Sequence, residues 1–212
     1  GGDALTANTT ASNNTAVGVS ALTVNTTGAH QTASGFEALK SVATTSFNTA
    51  YGSQALKVAV ADSCVAVGAQ SLVACTSGAG NTAVGRDSMG ATTSGANNVA
   101  VGKSALYANT TGASNVAVGA LALDANTTGT FNVAVGKSAL SADTLGNRSV
   151  ALGTFALEVQ NFTSGTDVYN TAVGHGAGAT VTTGVNNTLI GGLAGDTIQS
   201  GHSNVLIGYN VD

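Results

Sequence analysis

Asn98-Val99-Ala100-Val101-Gly102-Lys103-Ser104-Ala105-Leu106-Tyr107-Ala108-Asn109-Thr110-Thr111-Gly112 is a unit that begins again at Asn115 and once more at Asn132. Its first glycine keeps time along the whole chain. Gly1, Gly18, Gly35, Gly52, Gly68, Gly85, Gly102, Gly119, Gly136, Gly153, Gly174, Gly191 and Gly208 follow at intervals of 17 residues, broken only by one of 16 before Gly68 and one of 21 before Gly174. A period this short cannot hold the two helices of a tetratricopeptide, ankyrin or HEAT unit, and it falls below the usual leucine-rich range. One turn of a β-solenoid remains. The chain is predicted to be all-β, a single repetitive body over residues 1–212 with about twelve turns of this period.

Within a turn, Thr15-Ala16-Val17-Gly18 alternates as a strand does, placing Thr15 and Val17 on one side and Ala16 and Gly18 on the other. The branched side, continued by Val101, Val118, Val135, Leu152, Ile190 and Ile207, is the predicted interior. The small side would let another backbone approach closely. The pairs Ala21-Leu22, Ala38-Leu39, Ala55-Leu56, Ala105-Leu106, Ala122-Leu123, Ala139-Leu140 and Ala156-Leu157 read as a second wall, with Leu filling the core. Asn-Thr-Thr-Gly at Asn25 to Gly28, Asn109 to Gly112 and Asn126 to Gly129 reads as a corner in which Asn and Gly take positive φ. The expected turn is strand, bend, strand, bend.

Composition agrees. Charged residues are only 8% and hydrophobic residues 43% of the chain, too apolar for disorder and, with 29 glycines, a poor match to helices. Six basic residues and a net charge of −4 give no cluster that would neutralise phosphates, so a nucleic-acid partner is not expected. No run of about eighteen apolar residues is present, and membrane insertion is not expected either. Gly1 already lies inside a repeat, with Asp3-Ala4-Leu5 standing where Ser20-Ala21-Leu22 stands one turn later, which reads as a segment of a longer protein.

A coil with two walls of three or four residues encloses a couple of apolar side chains per turn, and so small a core normally draws on disulfides, metal or oligomerisation. Turns stacked about 4.8 Å apart give a rod of roughly 60 Å, along which lateral association would supply the missing burial. A homo-oligomer is expected on these grounds.

The recurring Asn-Thr/Val-Ala-Val-Gly, followed by Ala-Leu and Asn-Thr-Thr-Gly, resembles the repeats of trimeric phage tail fibres and is similar to the head repeats of trimeric autotransporter adhesins. The likeness covers essentially the whole chain. It implies a left-handed parallel β-roll, three chains associated intertwined or side by side around an axis, and a place on a virion tail fibre or a bacterial cell surface, outside the cell.

Residues with chemistry are sparse. Glu37 and Asp87 share a repeat phase but lie three turns apart, roughly 14 Å, too far for a glycosidase pair. His30, His175 and His202 have no ligand-like spacing, and His30 and His202 read as exposed corners before a strand. No enzyme activity, cofactor or metal is expected. Cys64 and Cys75 replace corner asparagines within one turn, at the phases of Asn81 and Asn109. Two free, buried small residues is the plainer reading, and a disulfide across the corner is the other, open if the Cα atoms lie within about 7 Å.

Departures from a repeat are where binding enters a regular scaffold. The 21-residue interval makes residues 154–173 a turn with an inserted loop, and its stretch 160–169 gathers Phe162, Asp167 and Tyr169, a set suited to sugars or a protein surface. A plain surface bulge is the competing reading, because loop insertions cost little. Phe36, Phe47 and Tyr51 read as local core filling. Residues 175–212 form altered terminal turns: His175-Gly176-Ala177-Gly178 and Leu193-Ala194-Gly195 replace Ala-Leu, while Leu189 and Leu206 replace small Ala, implying changed packing around the axis.

The leading functional reading is a structural shaft or head segment of an adhesive fibre that presents or contributes to attachment to host or prey cells. The alternative is a module that itself binds a glycan or envelope protein through loop 160–169. A third reading, ice binding by the Thr pairs at Thr9, Thr26, Thr110 and Thr127, is opposed by breaks at Val60-Ala61, Asn161-Phe162 and Gln199-Ser200.

Overall fold

The structure, a computed structural model, describes residues 1–212. It has twelve strands of three residues: β1 Thr15–Val17, β2 Thr32–Ser34, β3 Thr49–Tyr51, β4 Val65–Val67, β5 Thr82–Val84, β6 Val99–Val101, β7 Val116–Val118, β8 Val133–Val135, β9 Val150–Leu152, β10 Thr171–Val173, β11 Thr188–Ile190 and β12 Val205–Ile207. They form one parallel sheet in chain order, so each period is one turn and the chain is an all-β solenoid. Register is kept across both irregular intervals: Thr49 pairs with Val65 and Val150 with Thr171. The four extra residues therefore leave the stack rather than shift it. At about 4.8 Å per step, the strand ladder is about 53 Å long.

The faces of the strands are the reverse of the sequence expectation. The middle alanines, among them Ala33, Ala66, Ala100, Ala117 and Ala151, are fully buried, whereas Val17 is 58%, Val101 37% and Ile207 68% exposed. The interior is thin, and Leu22, Leu56, Leu106, Leu123 and their equivalents reach across from the other wall to fill it. Only a methyl group fits opposite them, so the branched side chains face outward.

The second wall is not a strand. Ala21 N–H donates to Gly18 O at 3.4 Å and Asn25 N–H to Leu22 O at 3.3 Å, two successive tight turns with Ser20 at φ 58° and Leu22 at φ 50°. A left-handed leucine is unfavourable by itself, by about 1–2 kcal/mol. It is held because its side chain is fully buried and its N–H bonds the next turn, at Ala38 O, 3.1 Å away. Turns thus stack on turns with the regularity of a sheet.

The corner chemistry also differs from expectation. Asn25, Asn109 and Gly112 do not have positive φ; that conformation falls on the residue two before each strand, such as His30, Phe47, Asn97, Phe131, Arg148 and Tyr169. The asparagines are instead buried ladder rungs. Asn98 Oδ1 accepts from Asn115 N–H and Asn115 Oδ1 from Asn132 N–H, both at 2.9 Å. Their Nδ2 groups donate to the corner carbonyls, Asn98 to Gly112 O at 2.9 Å and Asn115 to Gly129 O at 2.8 Å. A second ladder joins Asn126 Nδ2 to Asn109 Oδ1 at 3.2 Å. Where an apolar residue interrupts it, the rung before loses its donor: Asn25 Oδ1 has no partner, and Val42 stands one turn on.

Phe36, Phe47 and Tyr51 do not fill the core, being 50%, 61% and 62% exposed. Phe36 and Phe47 sit on turn segments and Tyr51 on the outward strand face, since an interior that admits only Ala against Leu has no room for a ring. In the terminal turns the interior itself changes. Leu189 is fully buried, and a Cβ at Gly178 or Gly195 would come within 2.7 or 2.8 Å of its methyl groups. The large residue has crossed from one wall to the other, and glycine takes the place of the leucine it displaces.

Candidate functional site

Three surfaces and one buried pair carry the residues of interest. The largest is the outward sheet face, two positions in each of twelve strands, occupied by Thr, Val, Ile, Leu, Ser and Tyr and by no charged residue. The chain's ion pairs lie elsewhere, on the turns and corners. Glu37 Oε1 is 2.6 Å from Lys40 Nζ and its Oε2 is 2.8 Å from Lys57 Nζ, and Arg86 Nε is 3.0 Å from Asp87 Oδ2. The hydrogen bond from Lys40, then those from Lys57 and Gln54, hold the Glu37 carboxyl down at about 2. Glu37 and Asp87 are thus separate surface pairs. No three His, Cys, Asp or Glu side chains gather where an ion would bind, and no cavity opens along the coil.

The inserted loop divides its three candidate residues. Phe162 is buried at 8% exposure, its N–H donating to Asp143 Oδ1 at 3.2 Å, so its ring is not available to a ligand. Asp143 occupies a corner Asn phase and is itself almost fully buried. It accepts Gln160 Nε2 at 2.6 Å and Gly146 N–H at 3.0 Å, while Gln160 Oε1 accepts Asn170 Nδ2 at 2.8 Å. Burial pushes the Asp143 carboxyl upward, against the lowering effect of these donors. The base of the loop is pinned by this network.

Asp167 and Tyr169 stay outside, joined by two residues that the sequence pattern does not bring to them. Arg148 Nε is 3.1 Å from Asp167 Oδ1, and Tyr169 Oη donates to Asp167 Oδ2 at 3.4 Å. The Arg148 guanidinium lies 5.1 Å from the Phe131 ring centre and 5.9 Å from that of Tyr169. Phe131, Arg148 and Tyr169 share the left-handed corner phase on successive turns, a signal legible once the phase is known. His30 on Phe47, stacked 5.1 Å apart, is the same arrangement higher in the stack. His202 is exposed one residue before that corner phase, accepting Val185 N–H at 3.1 Å, and His175 meets the Phe155 edge. The corner threonines turn their hydroxyls into the stack: Thr110 Oγ1 donates to Thr127 O at 3.1 Å.

Cys64 and Cys75 are free thiols, both fully buried, in the turn that carries β4, Cys64 immediately before that strand. Both sulfurs lie on one acceptor, Gly78 O, at 3.4 and 3.3 Å.

No protein-family model matches this chain, and neither a curated protein nor a solved structure is recognisably similar to it.

Proposed function

We propose that the chain is a rigid segment of an adhesive surface fibre, a spacer assembled from three parallel copies that holds an attachment function away from a virion or bacterial surface. The observation that carries this reading is the outward sheet face: continuous over twelve strands, without a charge, and exposing branched side chains on a regular solenoid. A strip of about 53 by 10 Å is near the upper end of what monomers leave uncovered. The number three and the cellular location come from the resemblance of the repeat. Size-exclusion chromatography with light scattering tests it: three times 20.4 kDa at micromolar concentration is expected, another multiple removes the number three, and a monomer with β-type circular dichroism removes the reading.

A second reading, direct binding of a glycan or envelope protein at the inserted loop, is favoured by the exposed Phe131, Arg148 and Tyr169 cluster. On an array of immobilised glycans, a signal lost on Phe131→Ala with Tyr169→Ala, at unchanged assembly mass, supports that reading. No signal from the native chain opposes it.

A further inference from the structure

The chain has two cysteines in 212 residues, and the coil brings them to the same carbonyl. In a regular turn the two phases they occupy are the donors that tie the corner shut: Asn98 and Asn109 donate to Gly112 O at 2.9 and 3.0 Å. A thiol is a weak donor, so a lone Asn→Cys change would weaken the corner and leave nothing in return. Here both changes fall in one turn, where the two sulfurs converge on Gly78 O at 3.4 and 3.3 Å.

The other ladder connection is altered in the same way. Asn81 Oδ1 accepts from Asn98 N–H, but at the equivalent step before it the residue is Cys64, which has no amide oxygen to offer the N–H of Asn81. The fourth turn has therefore exchanged its own two amide donors for two buried sulfurs that share Gly78 O, a carbonyl that Asn81 Nδ2 of the next turn also reaches at 2.9 Å. A single covalent bond between them would restore the closure that the amides provide elsewhere.

We infer that Cys64 and Cys75 form a disulfide across the corner of the fourth turn when the chain folds in contact with a small-molecule disulfide such as oxidised glutathione. The Cys64 thiolate attacks one sulfur of glutathione disulfide, forming a mixed disulfide and releasing a glutathione thiolate. The Cys75 thiolate then attacks the Cys64 sulfur, the Cys64–Cys75 bond forms, and the second glutathione leaves as thiolate. The protons of the two cysteines end on the two glutathiones; the protein pair is oxidised and glutathione disulfide is reduced. The bond closes a ring over residues 64–75, within one turn, and constrains the unfolded chain. Because both sulfurs are fully buried, exchange takes place before the coil closes or when this turn opens.

The test is a redox titration by mass. The chain is refolded from guanidinium into buffers with graded ratios of reduced to oxidised glutathione, and a second series is kept in guanidinium throughout. Both are quenched with acid, alkylated under denaturing conditions, weighed and mapped by peptide. The fold should favour the bond, so the refolded chain should stay oxidised, two hydrogens lighter and unalkylated, to glutathione ratios about tenfold or more beyond those that reduce the denatured chain. Cys75→Ser should show one alkylated or glutathionylated sulfur and no internal bond. Refolded protein that carries two alkylated cysteines at ratios where the denatured chain is oxidised, or equal curves for the two series, overturns the inference.

Discussion

Single residues set the closeness of the turns. Gly102 has φ 143°, outside the range of side-chain-bearing residues, and a Cβ there would lie 2.5 Å from the carbonyl carbon of Gly119 in the next turn. Both the conformation and the contact oppose any larger residue. Gly102→Ala is expected to destabilise by about 2–4 kcal/mol, read as a lower urea midpoint. A loss under about 0.5 kcal/mol, the size of a neutral surface change, would show that the stack yields there. Glu37 gives a pH dependence of definite sign. Its folded pKa of about 2 lies below the ordinary 4.5, so its ion pairs contribute fully above about pH 4.5 and fade as the pH falls toward 2. The melting temperature of Glu37→Gln should lie below that of the native chain at pH 7, and the two should converge near pH 2; a constant gap would oppose the assignment. Asp143, raised by burial, acts in the opposite sense and favours the fold more as the pH falls. Restoring the common corner amide at that position should not help. In either orientation the new side-chain NH2 would face a donor: Gln160 Nε2, whose own oxygen is committed to Asn170, or the N–H groups of Gly146 and Phe162. That clash outweighs the donor it would bring to the unpaired Asn126 Oδ1. Asp143→Asn is expected to cost about 1–3 kcal/mol at pH 7 by urea unfolding, the penalty of unmatched buried polar groups, and a stabilised variant would refute this network.

The element is one strand and one double turn facing each other across a single layer of side chains, and its rule is conservation of volume. Ala100 opposite Leu106 and Leu189 opposite Gly178 and Gly195 are two solutions of it. Gly178 has φ 59°, close to the 52° of Leu106, so its backbone accepts leucine. Leu189→Ala alone should cost about 2–4 kcal/mol through a cavity, and Gly178→Leu alone a similar amount through crowding. The double variant should recover at least about 1 kcal/mol of their sum; additive losses would mean the two sites do not share space. Much of the architecture is legible at this scale, because the period alone fixes the stacking and the Ala-Leu pairs name the second wall. The inward face is not. Alternation in Thr15-Ala16-Val17 tells which residues share a side but not which side is inside, and that choice is made by leucines on the opposite wall, further along the turn. The double turn is hidden for a related reason: left-handed Leu22 has no local signature and exists only because the next turn holds it. At the loop, Phe162 reads as exposed for its ring and lies inside because Asp143 holds its backbone, a contact across nineteen residues.

At the scale of the whole molecule, charge and shape point in one direction. The ionic residues sit on the turns and corners, leaving the outward sheet face as twelve unbroken ranks of neutral side chains. A solenoid can tolerate such a face if it is covered, and lateral packing of copies covers it without disturbing the ladder that holds each coil together. Val101→Lys with Val118→Lys places two cations at mid-length on adjacent strands, at sites 37% exposed and half-buried respectively, where lysine can snorkel to water in an isolated coil. The backbone ladder at β6 and β7 does not involve these side chains. The variant should therefore keep its β-type circular dichroism while its mass in solution falls to 20.4 kDa. Paired with aspartate at the same positions in a second preparation, mixing should restore part of the assembled mass, because opposite charges across a buried interface offset one another's desolvation. If the lysine variant keeps the assembled mass, the interface lies on another side of the coil and the outward sheet face must be covered by something other than its own copies. If it loses both mass and circular dichroism, assembly and folding are one event, and the solenoid exists only as an oligomer.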